Sequence, residues 1–136
     1  MFTLHNPENE PLYCNVIHFT QNANNANYGD KTPMLNMIGK PFAKMLFSSS
    51  INGLMPSFTN VGVPAVDNQK TKYVISQRYM SGGKYRYQIE IDDVKVYSEI
   101  NSQAEQFYNV KVYASDPYHK NPCPGTIYDL EVTNFL

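Results

Sequence analysis

The stretch GKYRYQIEIDDVKVYSEINSQAEQFYNVKVYASDP, residues 83 to 117, decides the fold class. Within it Tyr85, Tyr87, Ile89 and Ile91 alternate with Arg86, Gln88 and Glu90. That period of two belongs to a strand with one buried face. A second run, Val94 to Ile100, follows after only Asp92 and Asp93. With these two residues as the hairpin loop, Ile91 faces Val94, Ile89 faces Val96, Tyr87 faces Ser98 and Tyr85 faces Ile100, so one face is almost wholly apolar. The same register sets Glu90 opposite Lys95 and Arg86 opposite Glu99, and such cross-strand pairs contribute about 0.2 to 1 kcal/mol each. A two-residue type I′ loop favours Asp-Gly, so this register requires Asp93 to take a positive φ. A longer loop or a slipped register is the alternative.

Working outward, YNVKVYAS places Val110, Val112 and Ala114 on one face, and TIYDLEV does the same for Tyr128, Leu130 and Val132. Upstream, YCNVIHFT, PMLNMI, KMLFSSSING and KYVISQRY are short β-branched or aromatic runs bounded by Asn, Gly and Pro. Around Ala104 to Phe107 the apolar spacing allows at most one helical turn. The expectation is a single all-β domain over residues 1–136 with about eight or more strands. TQNANNANYGDKTP, MPSFTNVGVPAVDNQKTK and SDPYHKNPCPG read as surface loops.

A chain of 136 residues at 42% hydrophobic can bury roughly two-thirds of the surface its unfolded form exposes. Its net charge of -1 and dispersed lysines and arginines give no footprint for nucleic acid. The opening MFTLHNPENEPL lacks a signal pattern, and no apolar run approaches the ~20 residues needed to cross a bilayer, so no membrane insertion is expected. Cys14 and Cys123 are too few for a cysteine-only metal site. Two buried thiols and a single bridge both remain open, the bridge implying an oxidising compartment.

The segments YRYQIEIDDVKVYSEIN and FYNVKVYASDPYHKNPCPGTIYDLEV resemble the laminin-G-like branch of the concanavalin A-like lectin and glucanase jelly rolls. NVIHFTQ and YGDKTPML fit the early strands of that layout more loosely. Asp93, Tyr118 and Asp129 stand where those domains usually carry Gly, Trp and Asn. The resemblance implies a two-sheet antiparallel β-sandwich of the jelly-roll type whose first and last strands lie near each other, which would bring Cys14 and Cys123 into bonding range as a disulfide. It also implies an extracellular or cell-surface recognition module for glycans or protein partners, in some cases with calcium.

Glucanases of this class carry E-x-D-x-x-E, whereas EIDDVK here matches Glu90 and Asp92 but ends in Lys95. Retaining hydrolysis needs a second carboxyl that lysine cannot supply, so no enzyme is expected. No cofactor is expected beyond calcium, and the acids available to it, Asp30, Asp67, Asp92, Asp93 and Asp116, have no EF-hand spacing. His5, His18 and His119 are too scattered for zinc, and His18 reads as a core or sheet-face histidine. SGGK reads as a turn into the strand at Lys84 rather than a phosphate loop, and no N-glycosylation sequon occurs.

The expected function is therefore non-catalytic adhesion or recognition of a glycan or glycoprotein. Aromatic and planar polar side chains suit sugar contacts, and by loop position and chemistry the candidates are Asn24, Asn27, Tyr28, Asp30, Arg78 and Tyr118. The rival expectation is a self-assembling β-sandwich protein or protein-interaction domain, as a homo-oligomer or within a larger parent chain, since unblocked edge strands pair.

Overall fold

A computed structural model describes residues 1–4, 13–25, 27–38, 44–64, 66, 68–118 and 122–133, with backbone alone for 55–64. Among the described residues there are eleven strands and no helix: β1 (Phe2–Leu4), β2 (Tyr13–Thr20), β3 (Met34–Ile38), β4 (Lys44–Ile51), β5 (Leu54–Pro64), β6 (Lys70–Thr71), β7 (Tyr73–Ser81), β8 (Lys84–Ile91), β9 (Val94–Asn101), β10 (Lys111–Ala114) and β11 (Gly125–Ile127). They form three antiparallel sheets, ordered β10-β2-β3-β4-β5, β7-β8-β9 and β11-β1-β6. The architecture is an all-β antiparallel sandwich.

The core follows from alternation. Leu35 and Met37 on β3 and Met45 and Phe47 on β4 bury one face of the five-stranded sheet against Tyr87, Ile89 and Ile91 on β8. Phe47 meets Tyr73 with ring centroids 6.2 Å apart, and the Ser49 and Tyr87 hydroxyls lie 2.5 Å apart. β1 closes one end by pairing with β11, Phe2 opposite Ile127, so the first and last described strands are neighbours. A side chain at Gly125 would collide with the Phe2 ring and the Thr3 carbonyl oxygen, which is why β11 begins with glycine.

Cys14 and Cys123 form a disulfide with Cα atoms 4.9 Å apart, a bond suited to an oxidising compartment. No helix among the described residues is long and apolar enough to cross a membrane.

The β8–β9 hairpin has the two-residue loop, with Asp92 at φ 48° and Asp93 at φ 64°, the two positive values of a type I′ turn. Ile91 faces Val94 and Glu90 faces Lys95 as the alternation predicts. Beyond them a bulge between Ile89 and Glu90 shifts the register by one residue. Ile89 therefore faces Tyr97 rather than Val96, Tyr87 faces Glu99 rather than Ser98, and Tyr85 faces Asn101 rather than Ile100. Arg86 faces Ile100, not Glu99. A strand turns over when one residue is inserted, so Asn101 is buried and Ile100 is 43% exposed.

Three other expectations are corrected. The proline-containing segment read as a loop is largely β5, whose edge position tolerates residues without an N–H. β10 spans only Lys111–Ala114, so Val110 lies outside it; Val112 and Ala114 do share a face, but that face is exposed, with Val112 at 45%. The closing strand stops at Ile127, with Asp129 at φ 47°, so Tyr128, Leu130 and Val132 are exposed rather than aligned on a buried strand face.

The buried tyrosines make an alkaline limit. Burial, first of all, pushes the Tyr73 and Tyr87 phenols up to about 12, the Thr71 and Ser49 hydrogen bonds opposing it. Their folded values lie above the unfolded 10.0, so the unfolded chain releases protons first and stability is full below pH 10 and lost as pH rises towards 12. Urea titrations at pH 9 and 12 should differ by about 2 to 3 kcal/mol per tyrosine, and a flat profile would contradict the burial of both rings.

Candidate functional site

Two regions carry the expected site residues. The first is the second face of the five-stranded sheet, where β2, β3 and β4 present Asn15, His18, Asn36 and Ser48. A bulge between Asn15 and Ile17 puts His18 on the same side as Asn15 while Cys14 and Ile17 face the core. All four polar side chains are fully buried, so each needs a partner. Asn15 Nδ2 donates to Asn36 Oδ1 at 2.9 Å, and Asn15 Oδ1 accepts the Asp116 N–H at 2.9 Å.

His18 is the centre of this network. Its Nδ1 lies 2.5 Å from Asp116 Oδ2, and its Nε2 lies 2.6 Å from the Asp30 carbonyl oxygen. A carbonyl only accepts, so Nε2 carries a proton. Either Nδ1 does too and the pair is ionic, or Asp116 holds the shared proton. Asp116 Oδ1 in turn accepts the Tyr118 N–H at 3.0 Å, and the Tyr118 ring stands edge-on to both His18 and Tyr113. Lys31, at the rim, has its ammonium held below the usual lysine range by burial, with Asp30 and Asp116 opposing. Among the described residues, Asp30 Oδ1 and Ser48 Oγ have no hydrogen-bond partner.

The second region is the outer face of β7 and β8. An open groove of 240 Å³ is lined by Ser76, Arg78, Tyr79, Met80, Arg86, Gln88 and Glu90. Tyr79 is 63% exposed and stacks edge-on to Tyr85 at 5.4 Å. Gln88 donates to Glu90, and Arg86 Nη1 donates to Ser98 Oγ at 3.0 Å. Glu90 faces Lys95 across the hairpin without an ion pair forming between them among the described residues. At this size the groove would grip one residue of a longer ligand rather than enclose it, deep pockets running ~300–1,000 Å³.

The six expected contact residues are thus divided. Asn27, Asp30 and Tyr118 converge on the His18 network, the Asn27 N–H reaching Asp30 Oδ2 at 3.4 Å, and Asp30 itself is fully buried. Asn24 lies in the same loop with a buried Oδ1 that has no partner among the described residues. Tyr28 points instead to the segment between β9 and β10, donating to the Gln103 carbonyl at 3.1 Å and packing on Phe107. Arg78 belongs to the groove instead. Arg86, Tyr79 and Met80 were not singled out by the sequence, because an unbroken register hands Arg86 a partner in Glu99. Among the expected calcium acids, Asp92 and Asp93 serve Lys72, through its N–H and its ammonium respectively, and Asp67 lies outside the described residues, as do His5 and His119. No cluster of three metal-ligating side chains occurs among the described residues.

The chain matches no protein-family model, no curated protein and no solved structure.

Proposed function

We propose that this protein is a non-catalytic recognition module that works outside the cell and binds a glycan chain on the outer β7–β8 face. The observation that carries the reading is the open groove, in which the Arg78, Arg86, Ser76 and Gln88 side chains share one face of rigid paired strands. Sugars present hydroxyls to planar polar groups, and guanidinium and amide groups supply these here. Glu90 is the groove's one carboxylate and has lysine opposite it, which suits binding rather than the paired-carboxyl chemistry of glycoside hydrolysis. The disulfide supports the extracellular setting, and the resemblance of residues 85–101 and 107–132 to laminin-G-like jelly rolls points the same way.

A glycan array probed with the intact chain, in calcium and then in chelator, tests this. Selective binding that weakens about tenfold in Arg78→Ala is expected. Loss in Tyr118→Ala with Arg78→Ala still binding would move the site to the His18 rim. No binding, together with concentration-dependent oligomers in light scattering, would replace the reading with self-assembly.

A further inference from the structure

We infer that the β7–β8 groove is built for an anionic ligand group, a carboxylate or sulfate, held between Arg78 and Arg86; this rests on the glycan reading above. The two arginines lie directly opposite each other in the β7–β8 register. Like charges in that position are destabilising. The strand on the other side offers no relief, because the bulge sets Ile100 opposite Arg86 and turns Glu99 to the other face. There Glu99 accepts hydrogen bonds from Asn52 and Tyr97.

Among the described residues neither arginine has an ion pair. Ser98 fixes the Arg86 guanidinium but is neutral. Strand alternation puts Lys84 and Lys95 on the same outer face, where Glu90 is the only carboxylate on the three strands. Four cations against one anion crowd one face of a chain whose net charge is -1. Two guanidinium forks are matched to a planar or tetrahedral oxyanion, which accepts from both. An oxyanion between them also removes their repulsion, so the pair gains more from a charged ligand than from a neutral one of the same shape.

Titration calorimetry on the intact chain can decide this with paired probes: a uronic-acid oligosaccharide beside its carboxyl-reduced form, and a sulfated oligosaccharide beside its desulfated form. At least one charged member should bind about tenfold tighter than its neutral twin, with affinity falling as salt rises. Which pair shows the margin separates carboxylate from sulfate. Arg78→Gln and Arg86→Gln should each erase that margin, while Arg78→Gln melts about 1 to 3 °C higher at low salt as repulsion is relieved. A binding loss with a melting gain is not a folding defect.

Equal binding of charged and neutral twins would overturn the anion inference and leave the glycan reading standing. Binding of no oligosaccharide would overturn the glycan reading, and the anion inference would then be decided by NMR titration with inorganic sulfate. Shifts at the Arg78 and Arg86 Nε–H resonances uphold it, and their absence sinks it.

Discussion

Replacing Cys14 and Cys123 together by serine is expected to lower the free energy of unfolding by about 5 kcal/mol. The bond closes a sequence separation of 109 residues, and the chain-entropy model gives that magnitude for a loop of this length. A single domain has only about 5 to 15 kcal/mol in total, so the variant should stand near the edge of folding. The bond also pins the last segment to β2, where the Cys123 N–H donates to the Asn15 carbonyl and Pro122 bridges Asn15. Urea titrations of the wild type, oxidised and reduced, and of the serine variant would measure the effect. Two reactive thiols in the untreated native protein, or a loss below about 1 kcal/mol, would contradict this assignment.

His18→Phe is expected to destabilise by about 3 to 5 kcal/mol, the range for removing one partner of a buried pair. Phenylalanine keeps a ring in place, so the loss reads the polar pairing more than a cavity. What is lost is the His18 contact to Asp116 Oδ2 and the His18 contact to the Asp30 carbonyl, both deep in the protein. The loss should not add to that of Asp116→Ala. Residues in direct contact couple, and once His18 is gone the buried carboxyl is a liability, so the double variant should be less destabilised than the sum of the two singles. Strict additivity in thermal melts would show that His18 and Asp116 do not act as a pair. The same variant should loosen Tyr118, whose backbone N–H is held by Asp116, and its Tyr113 ring contact can be followed by NMR.

Much of the fold was legible because strand alternation is local. Tyr87, Ile89 and Ile91 are buried on one face of β8 as their spacing demands, and YCNVIHFT and KMLFSSSI coincide with β2 and β4. The turn at Asp92-Asp93 was legible as well, since a two-residue loop constrains φ. The bulge beyond it was not. Val96 and Tyr97 both pack against the core, and nothing within Val94 to Ile100 distinguishes a continuous alternation from one that skips a residue.

That single skip decides what lies beside Arg86. In an unbroken register Arg86 is neutralised by Glu99 and attracts no notice. In the folded protein it faces Ile100 and Arg78. The His18 network was hidden for a related reason. Its members come from chain positions as distant as Asn15 and Asp116, and only sheet pairing and the returning segment place them within hydrogen-bond reach.

The sequence by itself determined the class of structure and its near-neighbour geometry: strands of alternating pattern, a two-residue turn and a core face for β8. Each depends on residues within a few positions of one another. The tertiary structure alone decided which polar groups meet, which face of β9 turns outward and where the unpaired arginines lie, because those follow from register between strands, and register is fixed by the packing of the whole core.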